Sequence, residues 1–189
     1  FATGSTMTNA SGTDTSINAP ADEGDYKLYI IDLAGNVSAA SNATVTVDNT
    51  APTNQNDVLT SSATVKGGTE IVISSSGVAT NSVWLAPAGT TSFTNTGTTM
   101  TTAGGTATSI NAPTNENDYK LYVIDGVGNV SSASTNIVRV DNTAPNNENT
   151  VLKASVTAMG GTQVTITPSA ASDTIWLAPL GTSSFASNT

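Results

Sequence analysis

Acidic side chains and asparagines recur at matching positions along this 189-residue chain, and their oxygen atoms are the ligands that calcium prefers. They fall into two groups, one at the ends of two predicted strands and one around a glycine-containing turn. The first group comprises Glu23, Asp25, Asp48, Glu116, Asp118 and Asp141, and the second comprises Asp32, Asn36, Asp125 and Asn129. Both groups are candidate calcium sites. A purely structural role stays open, because Asp and Asn hydrogen-bond their own backbone in turns and Gly35 with Asn36 fits a left-handed turn.

Catalysis has little support from the residue types. The chain contains no histidine and no cysteine, so a hydrolase would need paired carboxylates or a Ser/Lys pair. Asp22, Glu23 and Asp25 lie close together, but the corresponding stretch of the second copy offers only Glu116 and Asp118. We therefore expect a protein that is not an enzyme and that uses no cofactor other than calcium.

The charge balance argues against two classes of partner. The net charge is −9, and the five basic residues are widely separated, whereas a phosphate-binding surface needs clustered Lys and Arg. The same charge disfavours an anionic membrane surface, and no apolar run approaches the ~20 residues of a membrane helix. We expect neither nucleic-acid binding nor membrane insertion in this segment.

Internal repetition is the strongest signal in the sequence, with a period of 92 to 93 residues. Five stretches recur almost unchanged, in the pairs 15–20 with 108–113, 25–32 with 118–125, 35–38 with 128–131, 47–52 with 140–145, and 83–87 with 175–179. Solenoid repeats are shorter, about 20–50 residues, whereas a small sandwich domain has about 100 residues. The chain therefore reads as an array of similar globular modules, whose partners are neighbouring identical repeats.

One repeat, residues 51–142, contains short apolar segments separated by turn residues. The strand candidates are 70–73, 82–85, 93–101, 107–110, 119–124 and 136–140. This spacing is typical of an all-β sandwich. In the segment 119–124, Tyr119, Leu121 and Val123 share one face, and we assign the face of Lys120 outward because lysine is rarely buried.

Thr50-Ala-Pro52 and Thr143-Ala-Pro145 have the composition of short, semi-rigid linkers. They divide the chain into residues 1–50, the C-terminal half of a repeat, residues 51–142, a complete repeat, and residues 143–189, the N-terminal half of the next. A half-module leaves open strand edges. Either the polypeptide continues in both directions, or the halves complete each other between chains.

The linkers also locate the acidic groups. Glu23 and Asp25 begin one strand and Asp48 ends its antiparallel neighbour, so all three are expected beside the linker, where a junction ion would bind. The turn of Asp32 and Asn36 is expected at the opposite end of the module, facing a different junction.

The segment Tyr119-x-Leu-Tyr-Val-Ile-Asp-x-x-Gly-Asn-Val-Ser131, followed by Val140-Asp-Asn-Thr-Ala-Pro145, resembles the bacterial immunoglobulin-like tandem repeats of large extracellular adhesins. The resemblance covers both copies. It implies tandem immunoglobulin-like β-sandwich domains of about seven strands each, calcium at domain junctions, and an extracellular location on the cell surface. The expected function is that of a stalk or spacer in a surface adhesin or fibre, with the distal adhesion target left open.

Two alternative functions remain. The half-repeats could assemble head to tail into an extracellular filament. Alternatively, Trp84 or Trp176 could stack on a sugar in a carbohydrate-binding module, which requires an exposed indole. We instead expect these tryptophans to fill the core, as in immunoglobulin-type sandwiches.

Overall fold

The computed structural model describes residues 3–185 and is an all-β structure. Within these residues, short strands dominate and the only helices are two segments of four residues. The elements are β1 (Gly24–Tyr26), β2 (Val45–Val47), α1 (Gln55–Val58), β3 (Ala63–Val65), β4 (Glu70–Val72), β5 (Ser82–Pro87), β6 (Thr101–Gly104), β7 (Ser109–Asn111), β8 (Asn117–Ile124), β9 (Ile137–Val140) and α2 (Glu148–Val151). The chain forms two compact units, Phe1–Asn142 and Thr143–Thr189.

Residues 51–142, all of which are described, contain seven strands in two sheets. The larger sheet has the order β3-β9-β8-β5-β6, and the smaller sheet pairs β4 with β7. Every pairing is antiparallel except that of β3 with β9, which is parallel. The first and last strands of this segment are therefore hydrogen-bonded neighbours.

Side chains from both sheets form one apolar core. In β8, Tyr119, Leu121 and Val123 are each at most 1% exposed, and Ile71 of β4 and Ile110 of β7 meet them from the smaller sheet. Every buried side chain of this core belongs to residues 58–140. Full burial of such a side chain contributes about 1.5–3 kcal/mol, so this segment carries most of the stabilising burial in the first unit.

The prediction that Lys120 points away from the core is confirmed. The residue is partly exposed, and its Nζ donates to the carbonyl of Thr135 at 2.7 Å. Tyr122, on the same face, is 4% exposed yet lies outside the main core. A loop therefore covers part of the outer face of the large sheet.

Residues 3–50 repeat the sequence of β8 and β9 without the same burial. β1 and β2 pair in the register that β8 and β9 use, but Leu28 and Ile30 are 51% and 67% exposed. Their counterparts, Leu121 and Val123, lie in a strand that pairs with β5. Residues 3–50 contain no counterpart of β5, so Leu28 and Ile30 lack the strand beside which Leu121 and Val123 are buried.

The second unit, described through residue 185, contains α2 and no strand. Ile175, Trp176 and Leu177 repeat the central part of β5 and are 45%, 48% and 77% exposed. A β-strand with no partner cannot satisfy its backbone groups, so an apolar sequence of strand type does not form one by itself.

Candidate junction site

The first acidic group lies at the paired ends of β1 and β2. The register joins Gly24 to Val47, and its continuation by one residue brings Glu23 opposite Asp48. Thr50 contacts both, because its hydroxyl donates to Glu23 Oε2 at 2.8 Å and its backbone N–H donates to Asp48 Oδ1 at 2.9 Å. The two carboxylates therefore fix the start of the linker.

The third member of this group, Asp25, has a different partner in each copy. The hydroxyl of Thr46 donates to Asp25 Oδ1 at 2.6 Å. In the complete repeat, Arg139 occupies the position of Thr46 and forms two hydrogen bonds to Asp118, at 2.7 and 2.8 Å. The hydrogen bond from Arg139 lowers the pKa of Asp118. A positive charge thus already occupies the acidic face of the second copy.

The remaining strand-end residues, Glu116 and Asp141, repeat the positions of Glu23 and Asp48. The backbone N–H of Asn142 donates to Glu116 Oε2 at 3.2 Å, and Asp141 adds an electrostatic contribution that raises the pKa of Arg139 after the larger effect of Asp118. The backbone N–H of Asp141 donates to the carbonyl of Val65 at 2.9 Å. This end of the repeat is therefore tied to β3 as well as to β8.

The second group forms a tight turn after β8. One oxygen of Asp125 accepts hydrogen bonds from the backbone N–H groups of Val127, Gly128 and Asn129 at 2.8–3.0 Å. Its other oxygen accepts the side-chain amide of Asn129 at 2.9 Å. Desolvation is the largest single influence and raises the pKa of Asp125, but these hydrogen bonds together lower it below its ordinary value.

The turn of the first copy has the same construction. Asp32 accepts the backbone N–H of Asn36 at 2.8 Å and its side-chain amide at 2.9 Å, and the bond from the Asn36 side chain is the main cause of its lowered pKa. Gly35 has a φ of 89°, which favours glycine. Of the pair Gly35 and Asn36, only Gly35 has the left-handed conformation, since every residue with a positive φ in the described part of the chain is a glycine.

Asn129 brings the turn of the complete repeat to the preceding linker. Its Nδ2 donates to the backbone carbonyl of Asp48 at 2.9 Å, in addition to the carboxylate of Asp125. The turn group of one repeat and the strand-end group of the repeat before it therefore meet at one junction.

No three acidic side chains converge on a common point within residues 3–185 as a group that could hold a metal ion. Calcium binding stays a prediction for the first copy, where Glu23, Asp25 and Asp48 lie on one face of the β1–β2 pair. In the second copy an ion would have to displace the guanidinium of Arg139.

The tryptophans differ from expectation. Val83 and Leu85 point into the core, whereas Trp84 between them is partly exposed on the outer face of β5, so the prediction that it fills the core is wrong. It packs edge-on against Phe93, which also contacts Tyr122. Trp176 is 48% exposed beside Phe185, and sugar binding at this residue stays a prediction.

The hydroxyl of Tyr119 makes a hydrogen bond that sequence reasoning did not identify. Its hydroxyl donates to the carbonyl of Asn115 at 2.8 Å, and Tyr26 makes the equivalent bond to Asp22 at 2.8 Å. A tyrosine at the start of a strand that bonds back to the preceding loop also occurs in immunoglobulin-type sandwiches, where it is called the tyrosine corner. The signal was present in the repeat, because the tyrosine and the distance to its acceptor recur together.

Two serines were also missed. Ser131 and Ser134 are buried, and their hydroxyls accept the backbone N–H groups of Val123 and Leu121, each at 2.9 Å. They extend the edge of β8 beyond its pairing with β9. In the first copy, Ser38 and Ser41 make the same bonds, so the motif Gly-Asn-Val-Ser-x-x-Ser encodes strand pairing.

Comparison with known proteins adds no family assignment. No protein-family model matches the chain, and no curated protein shows significant similarity to it. Among the described residues, no helix has the length and apolar character needed to cross a membrane.

Proposed function

We propose that this chain is a structural segment of tandem immunoglobulin-like domains, serving as a non-enzymatic stalk or spacer of an extracellular bacterial adhesin or fibre. The observation that carries the proposal is the core of residues 58–140, which belongs to a unit repeated in sequence on both sides. The recurring polar residues of this unit are engaged in turns, strand ends and linkers, which fits a spacer that holds other domains at a distance rather than a catalyst.

The strand order supports the immunoglobulin-like part of the proposal. Seven strands in two sheets agree in number with the seven-strand sandwich. The bond from Tyr119 back to Asn115 is at the position expected for the tyrosine corner. The tyrosine bond recurs in residues 3–50, where the hydroxyl of Tyr26 donates to the carbonyl of Asp22.

The pairing of β3 with β9 supports a mechanical role. These are the first and last strands of the repeat, and they run parallel. A force applied through the two linkers pulls them in opposite directions along their length. Their hydrogen bonds are then loaded together in shear rather than one after another, which is the arrangement that best resists extension.

Single-molecule stretching of several linked copies of residues 51–142 tests the proposal. We expect a series of equal unfolding events, each releasing a contour length of roughly 300 Å, because an extended residue spans about 3.3–3.6 Å. Irregular events or extension without resistance would contradict a load-bearing spacer. A control with the linkers attached at Ala103 and Val140 pulls on β6 and β9, which are not hydrogen-bonded to each other, and should yield at lower force.

A second candidate function is assembly into a filament by complementation of half-repeats. It is favoured by the exposure of apolar side chains whose counterparts form the core of the complete repeat. These are Ile17, Leu28, Ile30 and Val45 in residues 3–50, and Ile166, Ile175 and Leu177 in the second unit. In the complete repeat, β5 belongs to the first half and β8 to the second, and they pair with each other.

The complete repeat indicates which segments of two copies would pair with each other. Residues 143–185 of one copy would supply the counterpart of β5, and residues 3–50 of another would supply the counterpart of β8. Sedimentation over a range of concentrations tests this function: head-to-tail assembly predicts a mass that increases with concentration without reaching a fixed oligomer. A constant monomer mass would exclude it and would leave the spacer function unaffected.

A further inference from the structure

The turn formed by Asp125–Asn129, called here the junction turn, contacts a part of the chain that belongs to the preceding repeat. Asn129 Nδ2 carries two hydrogens and directs one to the carboxylate of Asp125 and the other to the backbone carbonyl of Asp48, each at 2.9 Å. The acceptor on Asp48 is the main-chain carbonyl of the residue that directly follows β2.

Asp48 is held on both sides. Its carboxylate accepts the backbone N–H of Thr50 at 2.9 Å, and the side chain of Thr50 is bonded to Glu23. Asn49 reaches back to the carbonyl of Ala21 at 2.9 Å. The carbonyl of Asp48 is therefore presented at a fixed position before Ala51 and Pro52 begin the next repeat.

Asn129 is held equally well. The backbone N–H and side-chain amide of Asn129 both bond Asp125, and Gly128 supplies the positive φ of 103° that the turn requires. Two preorganised groups thus meet across the linker, and a hydrogen bond between ordered groups loses less conformational entropy than one between mobile groups.

We propose that the junction turn is a repeat-to-repeat clamp, in which the asparagine amide binds the linker carbonyl of the preceding repeat and sets the angle between neighbouring modules. This inference rests on the proposed spacer function and identifies its inter-module contact. The clamp needs no ion: the positive end of the contact is the amide of Asn129, and the negative end is a backbone carbonyl.

The first copy identifies the partner of its own turn. Asn36 bonds Asp32 as Asn129 bonds Asp125, and its second amide hydrogen has no acceptor among residues 3–185. Since the two turns share their construction, the fitting partner is the carbonyl of a Val-Asp-Asn-Thr linker in another repeat, the sequence found at Val47–Thr50 and again at Val140–Thr143.

The test measures the orientation of residues 3–50 relative to residues 51–142 in the full chain. Because the chain has no cysteine, spin labels can be attached solely at Ala43→Cys and Thr106→Cys, both exposed positions, and their distance distribution measured by pulsed electron resonance. We expect a narrow distribution in the parent chain, whose width at least doubles in Asn129→Ala.

Asn36→Ala is the matched control, because it removes the same bond within a turn but no linker contact. It should leave the width unchanged. A broad distribution in the parent chain, or equal widths in the two variants, would overturn the clamp. Neither result would affect the cooperative unfolding of residues 51–142 under force, so failure of the clamp and failure of the spacer function are distinguishable. Thermal unfolding of both variants checks that each remains folded.

Discussion

Tyr119 shows how one residue serves both packing and hydrogen bonding. Its ring is 1% exposed in the core, while its hydroxyl reaches the carbonyl of Asn115. We predict that Tyr119→Phe retains the packing and lowers the free energy of unfolding by about 0.5–1.5 kcal/mol, the net value of one hydrogen bond. Urea unfolding followed by circular dichroism measures the change.

Tyr26→Phe provides the control for this prediction, since Tyr26 makes the same bond outside the core of residues 58–140. It should leave the main unfolding transition unchanged. Equal effects of the two substitutions would show that residues 3–50 and 51–142 unfold as one cooperative system.

The carboxylate of Asp125 predicts how stability depends on pH. Its folded pKa is lowered, so its contribution is fully present above the unfolded pKa of about 3.9 and is lost as the pH falls through the lower folded pKa. Asp118 acts in the same direction through Arg139. We predict that the melting temperature falls as the pH is lowered below the ordinary pKa of carboxyl groups.

The variant Asp125→Asn isolates this contribution. It should melt at a lower temperature than the parent at neutral pH, and the difference should shrink in acid, where the parent carboxylate is protonated. A difference for Asp125→Asn that stays constant with pH would contradict the assignment.

The calcium hypothesis makes a prediction about stoichiometry. Asp25 lies beside Thr46, whereas Asp118 is paired with Arg139, so an ion is expected only in the first copy. Calorimetric titration with calcium should give one site in the parent chain, none in Thr46→Arg and two in Arg139→Thr. Absence of binding in all three proteins would contradict calcium binding at these strand ends.

At the scale of the elements, β8 could be predicted from the sequence, but the hydrogen bonds made by the segment after it could not. The strand itself was predictable, because residues 119–124 are rich in aromatic and branched apolar side chains and are followed by turn residues. Ser131 and Ser134 have no apolar signal, and their role depends on which backbone groups β9 leaves unpaired. That information arises only when the strands are in register.

The outer face of β5 presents the same difficulty. A tryptophan between two apolar residues indicates a buried strand, but alternation alone cannot say which face meets the smaller sheet. The structure turns Val83 and Leu85 inward, and Trp84 is covered by Phe93. The sequence predicted a strand over residues 93–101, but the structure has none before β6 begins at Thr101, and this Thr-rich stretch forms the covering loop instead.

The serine bonds give a prediction at this scale. Ser134→Ala removes the acceptor of the Leu121 N–H and leaves a buried donor unpaired, which should cost about 1–3 kcal/mol of unfolding free energy. Ser41→Ala removes the equivalent bond to Leu28 and should change the main transition little, because residue 28 is exposed. Denaturant titrations of the two variants make the comparison, and a neutral Ser134→Ala would contradict it.

At the scale of the whole molecule, the repeat length is a property of the sequence, but the exposure of apolar side chains in residues 3–50 was not predictable from it. Identical residue types are buried in residues 51–142 and exposed in residues 3–50. Burial is a property of the completed pair of sheets, and a local sequence cannot report whether its partner strand is present.

Leu28 provides the sharpest test of complementation. Its counterpart, Leu121, is fully buried against β5, so an aspartate at position 28 would place a charge in the core of a completed repeat. Burying an unpaired charge is strongly unfavourable. We therefore predict that Leu28→Asp abolishes any concentration-dependent increase in mass seen by sedimentation of the parent chain.

Leu33→Asp introduces the same charge at a side chain that is 106% exposed and whose counterpart is Gly126, outside the core. Assembly through repeat completion should survive this change, whereas association through general hydrophobic contact should weaken in both variants. Equal loss of assembly in the two would therefore exclude complementation as its cause. Selective loss in Leu28→Asp would show that the chain joins its neighbours through the same strand pairing that completes its central repeat.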